Sequence, residues 1–75
     1  MSKLSEQVTA IAIVYLGPAA HVFLERQAKT HLDGLQFANL EREHMAHLQY
    51  WVKISAGLVI DKAKAGELAD RIGKL

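Results

Sequence analysis

Seventy-five residues with a formal net charge of +1, 51% of them hydrophobic and 23% charged, fit one small folded domain rather than a disordered chain. There is no cysteine, which excludes disulfides and thiolate metal sites. The nine Lys and Arg residues form no run of like charge, so the basic stripe of a nucleic-acid binder is missing. A domain of this size buries only about 60% of its unfolded surface, and without disulfides the usual compensation is association.

The first expected helix covers about residues 5–16, with Ser2 or Ser5 as cap and Glu6 favourably placed at the positive helix end. Leu4, Val8, Ile11, Ala12 and Tyr15 recur at helical spacing and make one apolar stripe. Ile13, Val14 and Leu16 carry the hydrophobicity onto the other faces. A helix that is apolar all round needs a second surface to cover it, and one small core does not supply that surface. The expectation is a homodimer, with Ile11, Ile13 and Val14 as interface candidates.

Tyr15-Leu16-Gly17-Pro18-Ala19-Ala20 interrupts the uncharged stretch from Gln7 to Leu24. Proline is tolerated at a helix start and disruptive inside one, and glycine before it can close the preceding helix. The segment therefore predicts two helices meeting at a corner. The uncharged stretch approaches the ~20 residues of a membrane span. Gly17-Pro18 at its middle, together with Gln7, Thr9 and His21, favours a buried helix over insertion. Lys3 followed by Glu6 does not make a secretory leader, and the expected location is cytoplasmic.

A second helix is expected over about 18–32, with Ala20, Phe23, Leu24, Ala28, His31 and Leu32 on one face and Glu25 pairing with Lys29 on the other. Asp33-Gly34 supplies its stop. The third is expected over about 35–55. There Phe37, Leu40, His44, His47, Trp51 and Ile54 form the main stripe, and Ala38, Met45, Leu48 and Val52 an adjacent row. Trp51 is expected as a core or interface anchor. After Gly57 and the connector Leu58-Val59-Ile60, Asp61 caps a last helix over about 61–72, with Ala65, Leu68, Ala69 and Ile72 inward. The fold class is all-α: one compact four-helix domain, 1–75, completed by homodimerisation.

Tyr15-Leu16-Gly17-Pro18-Ala19-Ala20, followed by Val22, Phe23, Leu24 and Arg26, resembles a small helical accessory module found near the C-termini of bacterial serine/threonine kinases and multidomain signalling regulators. Ala19 stands where that module carries a larger aliphatic residue. The resemblance covers about a dozen residues. It implies a non-catalytic interaction domain in a bacterial regulatory setting, and brings no catalytic residues with it.

The one constellation with chemistry is Glu41-x-x-His44, one turn before His47. Glu-x-x-His is the spacing of helical di-iron bundles, where two such motifs and two further carboxylates converge. A dimer of this chain would supply the second motif across its axis, which makes a metal-binding bundle the alternative reading. Against it, the same histidines read as ordinary helix or interface residues. No phosphate-binding glycine loop or nucleophile elbow is present. The expectation is a non-enzymatic, cofactor-free protein with a second copy or another protein as partner, and no nucleic acid or membrane. A membrane-associated protein inserting its first helix is the remaining alternative.

Overall fold

In the computed structural model, which describes residues 1–75, the chain is all-helical with no strand. Helix α1 spans Lys3–Leu16, α2 Ala20–His31, α3 Met45–Ala56 and α4 Lys62–Gly73. Single 3₁₀ turns lie at Gly17–Ala19, Phe37–Asn39 and Arg42–His44. The radius of gyration is 10.7 Å, close to the ~11 Å expected for a compact chain of this length.

Ser2 caps α1 by accepting the Ser5 amide at 3.1 Å, and its own amide donates to Ala38 O at 2.7 Å. Ser5 is buried, and its hydroxyl donates to Ser2 O at 2.8 Å. Of the two expected caps, Ser2 is therefore the one that serves. Val8 and Ala12 are fully buried, and Leu4, Ile11, Tyr15 and Leu16 pack against the core from its margin.

Lys3 to His31 is a helical run of 29 residues broken at one point. Gly17 has φ 62° and ψ −144°, a conformation incompatible with helix continuation, and its amide still closes on Ile13 O. Pro18 then begins the next turn, where no backbone donor is needed. A straight rod of 29 residues would be about 43 Å long. The whole molecule measures 28 × 22 × 21 Å, so the run folds back at Gly17 as a corner.

Helix α2 buries Ala20, Leu24, Ala28 and also Gln27, and its expected face is correct apart from that glutamine. Asp33 (φ 55°) and Gly34 (φ 74°) turn the chain out of α2, with the Gly34 amide donating to Lys29 O at 3.2 Å. The expected Glu25–Lys29 pair does not close. The chain's one ion pair is Lys64–Glu67, 3.7 Å apart and exposed.

The third helix departs from expectation: residues 35–44 are not α-helical, and α3 starts only at Met45. The carbonyl of Ala38, which a helix would pair with an amide four residues on, accepts from Ser2 instead. Gln36, Leu40 and Glu41 are extended, and the 3₁₀ turns between them send Phe37 and Leu40 into the core. The late start also moves the buried row. Met45, Leu48, Val52 and Ala56 face inward, His44 and Trp51 lie at the margin, and His47 and Ile54 are exposed. The row expected as secondary is the core row.

Helix α4 starts where expected, with Asp61 Oδ1 accepting the Ala63 amide at 2.7 Å. It packs mainly on α3 and also on α1, while α2 packs on α1 and α3. Five of the 15 residues in the core cluster are alanine, so helices approach closely around a few larger side chains such as Leu24, Leu48 and Leu68. Every buried side-chain polar atom is paired. Thr9 donates to Ser5 O at 2.7 Å, and the Ser55 hydroxyl donates to Gln27 Oε1 at 2.9 Å across the α2–α3 contact.

Candidate interaction surfaces

The corner positions Tyr15 on the last turn of α1, facing α4. Arg71 lies over its ring, 5.6 Å from guanidinium carbon to centroid, and Arg71 Nη1 donates to the Tyr15 hydroxyl at 3.3 Å. Leu16 packs against the core, whereas Pro18 is exposed. The Tyr-Leu-Gly-Pro motif thus works structurally: two residues pack, one bends, one starts the next turn. Beside it, Val14, Tyr15 and Ile60 floor an open groove of about 830 Å³ between α1 and α4, bordered by Lys64, Glu67, Arg71 and Lys74.

The interface candidates separate into two kinds. Ile11 is half-buried against the core, and Trp51 is half-buried with the His31 imidazole stacked on its indole. Ile13 and Val14 are free, at 46% and 69% exposure. Their difference is geometric: Ile11 and Ala12 fall on the core side of α1, and the next two residues fall outside it.

The Glu41–His44–His47 set does not converge. Nδ1 of His44 accepts the Glu41 backbone amide at 2.9 Å, which removes one ring nitrogen from coordination and assigns the proton of the neutral ring to Nε2. Glu41 precedes the 3₁₀ turn in extended backbone, so it and His44 are not one turn apart on a helix, which is what the di-iron spacing requires. No group of three His, Asp or Glu side chains is assembled to hold a metal ion. His44, His47, His31 and Asp33 instead line an open polar depression together with Leu32 and Trp51.

Sequence reasoning missed the outer face of α3. Tyr50, Ile54 and Leu58 lie four residues apart and line an open groove with Lys53, Gly57 and Lys62. Their i, i+4, i+8 spacing is a helical signal, but Ile54, expected inward in the row of Trp51, is exposed and belongs to this outer row.

The Lys3–His31 run is the one helical stretch long and apolar enough to cross a membrane, with mean hydropathy 1.6 over its most apolar 18 residues. Bent at Gly17, its arms of 14 and 12 residues measure about 21 and 18 Å, each short of the ~30 Å hydrocarbon core.

No protein-family model, curated protein or solved structure matches this chain.

Proposed function

We propose that the chain is a non-catalytic interaction or oligomerisation module, a four-helix unit completed by a second copy through the outer face of α1. The observation that carries this reading is the division of α1. One side is sealed into the core by Val8 and Ala12, while Ile13 and Val14 present branched aliphatic surface to solvent next to the corner. Pairing two such faces removes that surface from water without disturbing either core.

The regulatory setting rests on the resemblance of Tyr15-Leu16-Gly17-Pro18 and the helix after it to the accessory module of bacterial signalling proteins. The packing of Tyr15 under Arg71 is compatible with that role, because it fixes the direction in which α1 offers its outer face.

Light scattering at micromolar to hundred-micromolar concentration tests the reading. The parent chain is expected to run as a dimer and the Ile13→Ser/Val14→Ser variant as a folded monomer. A parent chain that stays monomeric throughout that range rules out the dimer.

A further inference from the structure

The turn joining α3 to α4 carries Leu58, the most exposed of the large hydrophobic side chains at 82%, and Val59 at 69%, equal to Val14. Ile54 and Tyr50, also exposed, continue from Leu58 along the outer face of α3 at four-residue intervals. The result is an apolar tip with a short apolar ridge behind it, ending in a phenol. This surface lies on a different helix from the α1 face.

Two features set this tip apart from an ordinary exposed loop. Its charges are one-sided. Lys53 and Lys62 line the same groove, no acidic residue lines it, and neither lysine has a carboxylate within 4 Å, the chain's one ion pair being Lys64–Glu67. The nearest acid in sequence, Asp61, has its Oδ1 engaged by the Ala63 amide as the cap of α4. The amides of the tip are also internally paired, whereas the carbonyls of residues 57–60 accept no bond within the chain. The amides of Leu58, Val59 and Ile60 donate to Ser55 O at 3.2 Å, Ala56 O at 3.0 Å and Ala56 O at 2.8 Å. Three successive N–H groups therefore need no water.

We infer that this tip docks on anionic lipid bilayers, with Leu58 and Val59 entering the boundary between headgroups and acyl chains and Lys53 and Lys62 meeting lipid phosphates. Apolar side chains on backbone whose amides are already paired suit the interfacial region, where water and headgroups still meet the free carbonyls, and unpaired lysines beside them suit a negatively charged leaflet. The phenol of Tyr50 reaches headgroup level, where an apolar ring with a polar end is best placed. The attachment is peripheral and reversible, because two aliphatic side chains and two lysines are far fewer than a spanning helix supplies. It requires no insertion of α1.

Co-sedimentation of the full 75-residue chain with vesicles tests this. Vesicles of phosphatidylcholine alone are compared with vesicles of phosphatidylcholine mixed with phosphatidylglycerol. Binding is expected to the mixed vesicles, to fall with added salt, and to weaken about tenfold or more in Leu58→Ser/Val59→Ser and in Lys53→Gln/Lys62→Gln. Ile13→Ser/Val14→Ser is expected to keep the preference for the mixed vesicles, weakened only by the loss of the second tip that a dimer presents, which separates this surface from the proposed dimer face. Circular dichroism establishes that each variant keeps its helicity. Should the aliphatic variant lose it, the lysine variant and the salt dependence decide. The inference is overturned by failure to bind the mixed vesicles, by equal binding to both vesicle types, or by undiminished binding of the folded variants. It is equally overturned if Leu58→Ser/Val59→Ser dissociates a dimer while no vesicle binding is seen, an outcome that assigns the tip to a second copy.

Discussion

The imidazole of His31 lies flat on the indole of Trp51, with ring centroids 3.8 Å apart and planes 3° from parallel. The contact joins the last residue of α2 to the middle of α3. Tyr50 meets the same indole edge-on at 5.2 Å and 84°. Stacked rings contribute about 0.5–1.5 kcal/mol beyond the area they bury. The contact matters because the 13 residues between α2 and α3, 32–44, are held by turns, not by a continuous helix.

A double-mutant cycle of His31→Ala and Trp51→Leu measures that contact directly. Chemical denaturation is expected to give a coupling of about 0.5–1.5 kcal/mol. Additive losses would show that the stacked rings contribute nothing beyond their separate packing.

Gly17 is the point on which the corner depends. No neighbour lies within 4 Å of where its Cβ would be, so a substitution there acts through backbone conformation alone. At φ 62° and ψ −144°, Gly17→Ala is expected to cost about 1–3 kcal/mol. For a domain of this length, that amounts to a fall in Tm of roughly 4–8 °C per kcal/mol. An unchanged Tm would mean the corner is made some other way.

Gly66 should respond in the opposite sense. It lies within α4, in helical backbone, and nothing approaches the place of its missing Cβ within 4 Å. Gly66→Ala is expected to stabilise the fold by about 0.5–1 kcal/mol, read as a higher Tm. Gly73 in the same helix differs, because a Cβ there meets the Gln49 side chain at 2.5–2.7 Å. Gly73→Ala is expected to gain less, since Gln49 has to swing aside.

Removing one partner of the Ser55–Gln27 hydrogen bond tests the polar contact between α2 and α3. Ser55→Ala leaves the Gln27 amide oxygen without its donor in a buried position, and a loss of about 1–3 kcal/mol is expected by denaturation. Gln27→Leu in the Ser55→Ala background is expected to recover part of it, because an apolar pair strands no acceptor.

Local signals were sufficient wherever a residue's role is settled by its own backbone. Asp61 as a cap, Gly17-Pro18 as a corner, Asp33-Gly34 as a stop and the inward stripes of α1 and α4 all follow from capping chemistry, allowed φ/ψ and 3.6-residue spacing. The same spacing, applied across residues 35–55, gave one long helix and the wrong inward row. Nothing local distinguishes a helical Ala38 carbonyl from one that waits for Ser2, 36 positions earlier in the chain.

Tertiary structure decided what the surfaces are. Trp51 became a stacking partner of His31, His44 turned back onto the Glu41 amide, and Gln27 found Ser55. Each outcome depends on groups brought together from separate segments or turned by a bend, which no periodicity encodes. The sequence by itself determined the all-helical class, the corner at Gly17 and the excess of apolar surface on α1. Only the packed structure determined where α3 begins, and with it which apolar side chains, Ile13 and Val14 on one face and Leu58 and Val59 on another, are left facing water. The physical reason is that conformational preference acts within a few residues, whereas burial is a property of the assembled whole.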